Sequence, residues 1–147
     1  MKSNKFSLVI PSKSANEAFA RVTVSAFAAQ LDPTVEEISD IKIAVSEAVT
    51  NCNIHAYPDR IGNVYITGEI LKENVLKIKI RDRGRGIENL SEAMEPLFTT
   101  GGEERSGLGF AVMESMMDKV KVISRPGKGT AVTLFKKISE KENAKKE

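Results

Sequence analysis

Val75-Leu76-Lys77-Ile78-Lys79-Ile80-Arg81-Asp82-Arg83-Gly84-Arg85-Gly86 is the stretch from which the rest of the chain can be read. Leu76, Ile78 and Ile80 alternate with Lys77, Lys79 and Arg81, the period-two pattern of a strand with one buried and one solvated face. Asp82 arrives where that strand ends, so a rigid element aims it. Gly84 and Gly86 follow where the backbone must turn or let something come close. Just upstream, Val64-Tyr65-Ile66-Thr67-Gly68-Glu69-Ile70 is joined to this strand by the short link 71–74, which predicts an antiparallel hairpin. Downstream, Ser106-Gly107-Leu108-Gly109-Phe110 sets a second glycine pair at the start of a predicted helix over 108–117.

Farther out the pattern continues. Val120-Lys121-Val122-Ile123-Ser124 and Thr130-Ala131-Val132-Thr133-Leu134-Phe135, linked by 125–129, form a second predicted hairpin. Phe6, Leu8 and Ile10 alternate up to Pro11, a short strand of edge type because proline has no amide to donate. Ser14 with Glu17, and Thr34 with Glu37, have capping-box spacing, which predicts helices over about 14–30 and 35–55. On the first, Ala18, Val22, Ser25 and Ala29 share a stripe. On the second, Ile41, Val45, Ala48 and Cys52 form the apolar stripe, while Glu47 and Asn51, four residues apart, lie on another face. From Glu88 to Arg105 regularity is lost, apart from a short helical turn through Leu90 to Met94, and the segment reaching Thr99-Thr100-Gly101-Gly102 reads as a mobile lid.

A chain of 147 residues, 41% hydrophobic and 29% charged, has the length and composition of a single globular domain. Residues 1–136 read as that domain and 137–147 as a charged, disordered tail. The single cysteine, Cys52, cannot form an internal disulfide, which suits a reducing cytoplasm. Neither a secretory core nor an apolar run of membrane-spanning length is present, so a cytoplasmic protein is expected. A net charge of +2 makes no case for nonspecific nucleic-acid binding.

Glu47 and Asn51 admit two readings: a solvated helix face, or a site in which Asn51 gives its carbonyl oxygen to a phosphate-bearing magnesium ion and Glu47 accepts a nucleophile's proton. Asp82 is either a turn-capping aspartate or the acceptor for an adenine amino group. The glycines before Phe110 either merely start a helix or present amides to phosphate, with Arg105 beside them to close over a terminal phosphate. The G-x-G-x-x-G turn and the P-loop are both missing. His55, the only histidine, and Cys52 read as structural, as do Met113, Met116 and Met117.

In order, Glu47-Ala48-Val49-Thr50-Asn51, Asp82 to Gly86, Gly107-Leu108-Gly109 and Gly129-Thr130 resemble the asparagine box, the two glycine boxes and the closing Gly-Thr of the GHKL ATPase/kinase superfamily. Phe19 to Val24, Glu47 to Tyr57, Pro96 to Thr100 and Glu104 to Gly107 are similar to its sporulation anti-sigma factors, small serine-protein kinases. The resemblance implies an α+β, two-layer α/β sandwich with a mixed, mostly antiparallel sheet and helices on one face. It implies a homodimer that binds ATP/ADP with Mg2+, holds a sigma factor inactive and phosphorylates a serine of an anti-anti-sigma protein. It assigns Glu47 as general base, Arg105 to the γ-phosphate, Asn51 to magnesium, Asp82 to adenine, Thr130 nearby, and Arg21 to a partner contact. Gly84, Gly86, Thr99, Thr100, Ser106, Gly107, Leu108 and Gly109 would complete the nucleotide site. An ATP-gated binding module without transfer remains the alternative. Asn53, Ala56 and Gly101-Gly102 depart from the family pattern.

Overall fold

The computed structural model describes residues 3–94 and 109–140. Five strands, β1 (Lys5–Pro11), β2 (Asn63–Leu71), β3 (Val75–Asp82), β4 (Lys119–Arg125) and β5 (Gly129–Lys137), form one sheet in the order β1-β2-β3-β5-β4. Among the described strands every pairing is antiparallel, so the expected parallel component is absent. Two of the four pairings are hairpins, β2–β3 and β4–β5, which are antiparallel by construction. The other two, β1–β2 across α1 and α2 and β3–β5 across α4 and β4, also return antiparallel. The β2–β3 hairpin turns through Lys72–Asn74, where Glu73 and Asn74 take left-handed φ of 63° and 61°.

The period-two reading of β3 holds. Leu76, Ile78 and Ile80 are buried facing the helices, and Asp82 continues their row as its last inward residue. Arg81 lies on the opposite face, its guanidinium 4.8 Å from the centre of the Tyr65 ring on the neighbouring strand.

The helical layer consists of α1 (Ala15–Ala28), extended by a 3-10 turn Ala29–Leu31, α2 (Val35–Asn51), which widens into a π-turn Cys52–Ala56, and the short α3 (Leu90–Met94) and α4 (Phe110–Met116). α2 buries Ile41, Val45 and Ala48, together with Ala44 and Val49, and the π-turn buries Cys52, which completes the expected stripe. Thr34 and Glu37 close a reciprocal cap: Thr34 Oγ1 accepts from the Glu37 amide at 3.0 Å and Glu37 Oε1 from the Thr34 amide at 2.9 Å. Glu37 Oε2 also accepts from the Ser139 amide at 3.0 Å. Burial works to raise the Glu37 carboxyl, and these bonds outweigh it, leaving it below its ordinary value.

α1 corrects two expectations. Ser14 is already in the right-handed helical region and its side chain makes no cap. The Asn16 and Glu17 amides are served by the carbonyls of Lys13 and Ser14, while the Glu17 carboxylate accepts from Asn53 Nδ2 at 3.1 Å. The buried stripe is Ala20, Val24 and Ala28, leaving Phe19 50% and Val22 61% exposed. α1 is apolar on more than one side, and only docking against α2, where small residues allow close approach, selects which side is covered.

The chain stays ordered past the expected boundary at 136. Ile138 is fully buried, and its amide donates to the Asn74 carbonyl at 2.9 Å. Residues 141–147 lie outside the described part. No described helix is long and apolar enough to cross a membrane.

Thr34→Ala should lower the unfolding free energy by about 1 kcal/mol in urea titrations. Ser14→Ala should change it by less than about 0.5 kcal/mol, because its hydroxyl caps nothing.

Candidate functional site

Asp82 is 6% exposed, and its register on β3 delivers its carboxylate to the end of the sheet beneath α2. Oδ1 accepts two backbone amides, Gly84 at 2.9 Å and Thr130 at 3.1 Å. Cys52 Sγ donates to Oδ2 at 3.6 Å. Burial pushes this carboxyl above its ordinary value, and the two amides pull it part of the way back.

The turn after β3 is locked to the protein's own backbone. The Arg85 amide donates to the Ala56 carbonyl at 3.2 Å, and the Gly127 amide donates to the Arg85 carbonyl at 2.6 Å. A Cβ at Gly84 would run into the Ala56 carbonyl, and one at Gly86, whose φ is +75°, into the Arg125 carbonyl. The protein's own packing therefore requires bare α-carbons at both positions. What crowds them is the π-turn on one side and the β4–β5 turn on the other. Tyr57 adds a clamp: its hydroxyl donates to the Asn63 carbonyl at 2.7 Å and accepts from the Arg83 amide at 2.7 Å. Ser124 adds another, its hydroxyl accepting from the Ile87 amide at 2.9 Å and lying 2.7 Å from Thr130 Oγ1.

These elements enclose a cavity of about 650 Å3, within the roughly 300–1,000 Å3 of small-molecule sites. Asn51, His55, Asp82, Arg85 and Thr130 contribute polar groups to its wall, and Ala48, Ile80, Phe110 and Val132 contribute apolar surface. A buried carboxylate acceptor between apolar walls suits a flat heterocycle carrying an exocyclic amino group. Asn51 is 9% exposed, which removes the solvated-face reading for this residue. Among the described residues no group of three or more His, Cys, Asp or Glu side chains gathers. A single amide such as Asn51 is nevertheless the kind of ligand that a magnesium ion accompanied by phosphate and water accepts.

Other sequence-marked residues fall nearby. Glu47, half-buried, lies one turn before Asn51 outside the described cavity lining, and its carboxylate occupies the space a Cβ on Gly109 would fill. Gly109 takes a φ of +67° as the residue before α4. Arg21 on α1 donates to Ser46 Oγ at 3.1 Å, beside Glu47. Thr99, Thr100, Arg105, Ser106, Gly107 and Leu108 lie outside the described residues.

Sequence reasoning overlooked three contributors. Cys52 had been read as core, and it is core, but it also touches Asp82. Tyr57 and Ser124 gave no signal, since neither belongs to a periodic stripe and their hydroxyls act only through backbone brought close by the fold.

A histidine kinase-like ATPase domain matches residues 10–136 of the chain. The chain is 57% identical over 136 residues to a protein named anti-sigma F factor from Caldanaerobacter subterraneus subsp. tengcongensis, an overlap of 92% of this chain and 94% of that one. It is 53% identical over 140 residues to one of the same name from Clostridium acetobutylicum, covering 95% and 97%. Among solved structures, the RsbU and RsbW domains of a Mycobacterium tuberculosis protein superpose with a TM-score of 0.68 at 17% identity, over 93% of this chain and 32% of that one. The catalytic domain of the histidine kinase ThkA superposes with a TM-score of 0.57 at 16% identity, over 94% and 97%. At such identities these structures speak to the fold alone.

Because burial raises the Asp82 carboxyl, the folded protein holds that proton more tightly than the unfolded chain. Its stability contribution is therefore full below the ordinary value of 3.8 and is lost as pH rises through the raised folded value. Asp82→Asn keeps the Oδ1 acceptor and removes the charge. In urea titrations without nucleotide, the stability of the variant relative to the native protein should therefore increase from about pH 4 to pH 7.

Proposed function

Since the chain belongs to the histidine kinase-like ATPases, and among them to the anti-sigma F factor family, we propose that it binds Mg-ATP, holds a sigma factor inactive, and phosphorylates a serine of an anti-anti-sigma protein. The observation that carries the nucleotide reading is the Asp82 carboxylate, buried and fixed by two amides in the wall of a 650 Å3 cavity.

On this reading Asp82 accepts from the adenine amino group, and Ile80, Val132 and Ala48 offer the ring an apolar surface. Thr130 supports Asp82 through its amide. Asn51 supplies the amide oxygen that holds magnesium. Bound ATP supplies the transferable terminal phosphoryl group. Glu47 takes the proton from the attacking serine hydroxyl as the general base. The site is completed by Arg105, Thr99, Thr100 and the segment from Ser106 to Gly109. Arg21 makes a partner contact from α1, and the working form is a cytoplasmic homodimer.

A second reading, ATP-gated binding without phosphoryl transfer, draws support from Glu47 lying against Gly109 rather than in the described cavity lining. The two separate in one experiment with labelled ATP and a partner protein bearing the acceptor serine. Glu47→Ala should keep nucleotide affinity and lose at least about a hundredfold in transfer rate. Transfer at the native rate removes Glu47 as the base, and no transfer by the native protein leaves the gated module. Asp82→Asn should weaken Mg-ATP binding by about ten- to hundredfold in calorimetry. An unchanged affinity, or a native melting temperature unmoved by saturating Mg-ATP, overturns the nucleotide assignment.

A further inference from the structure

Cys52 lies one residue after Asn51, lines the cavity, is 3% exposed and points its sulfur at Asp82. We propose that Cys52 is a positioning residue for adenine recognition, its S–H holding Asp82 Oδ2 in the orientation in which that oxygen accepts from the 6-amino group. This rests on the nucleotide reading above and adds a determinant to it.

The geometry divides the carboxylate into two ends. Both backbone amides that reach Asp82 converge on Oδ1, at 2.9 and 3.1 Å. They anchor one end of the group and make no contact with the other. Among the described residues only Cys52 donates to Oδ2. A carboxylate oxygen accepts along two lone-pair directions, so the thiol occupies one and leaves the other for a second donor. A thiol is a weak donor, and its long contact fixes the oxygen without drawing off much of its charge. The sulfur is itself held in place, because Cys52 begins the π-turn whose closing bond runs from the Tyr57 amide to the Cys52 carbonyl at 3.2 Å.

Calorimetry on the full chain with two probes separates this role from simple packing. The probes are Mg-ATP and the magnesium complex of purine riboside triphosphate, which lacks the 6-amino group. Cys52→Ala should weaken ATP binding by about three- to tenfold and leave the amino-free analogue unaffected. Cys52→Ser, which restores a donor, should recover most of the loss. Equal losses for both probes, or no loss for either, overturn the positioning role. Since the chain holds one cysteine, its infrared S–H stretching band reports this contact alone. In nucleotide-free protein the band should be displaced to lower frequency, and Asp82→Asn, which presents an amide donor in place of Oδ2, should return it toward that of an unbonded thiol. A band unmoved by that substitution overturns the bond itself. Native protein that binds neither probe overturns the nucleotide reading, whereas native protein that prefers ATP while Cys52→Ala keeps that preference overturns Cys52 alone.

Discussion

The site is organised around the attachment of one carboxylate oxygen, Asp82 Oδ1, to two amides from distant parts of the chain. Gly84 belongs to the turn that follows β3, and Thr130 lies 48 residues beyond Asp82, in β5. A buried carboxylate left without partners would be costly, so the two strands must meet there for the charge to be tolerated. The same junction brings Ser124 against Thr130 and ties Ile87 to β4. The end of β3, the start of β5 and the end of β4 thus form one hydrogen-bonded corner, and the cavity opens beside it.

The other half of the enclosure comes from α2. Its capped beginning, with Thr34 and Glu37, is rigid, and its far end widens into a π-turn that carries the Ala56 carbonyl to Arg85. π-bulges concentrate at functional sites because the extra residue redirects side chains and frees carbonyls that a regular helix would consume. Here it lets consecutive residues serve different purposes: Asn51 faces the cavity, Cys52 touches Asp82, and Ala56 receives the glycine turn. The absence of side chains at Gly84 and Gly86 reflects this close backbone packing.

Much of the architecture was legible because it follows from local rules. The alternation in β3 fixed which residues face the helices, and extending that alternation by one step places Asp82 inside. The Thr34 cap and the α2 stripe were equally readable, since spacing alone determines them. Failures came where tertiary contacts decide. Ser14 had the right neighbours for a cap, but backbone carbonyls served the amides and Asn53 claimed Glu17. α1 offered two apolar sides, and packing chose Ala20, Val24 and Ala28. Parallel pairing was expected from resemblance rather than from the residues, and the registers show only antiparallel pairs among the described strands. Within the site, Asn51, Asp82, Gly86 and Thr130 were found by motif. Tyr57 and Ser124 were not, because a hydroxyl that clamps backbone leaves no periodic trace in the sequence.

Ile138, sealed beneath the sheet and bonded to Asn74, anchors the C-terminal strand at the end remote from Thr130. Eight residue steps along extended chain separate the two, roughly 26 Å. Trimming the chain at 136 to discard its charged terminus would pull a plug from the interior, whereas a fluorophore or affinity handle joined beyond residue 140 would start from a corner well clear of the wall that carries Asp82.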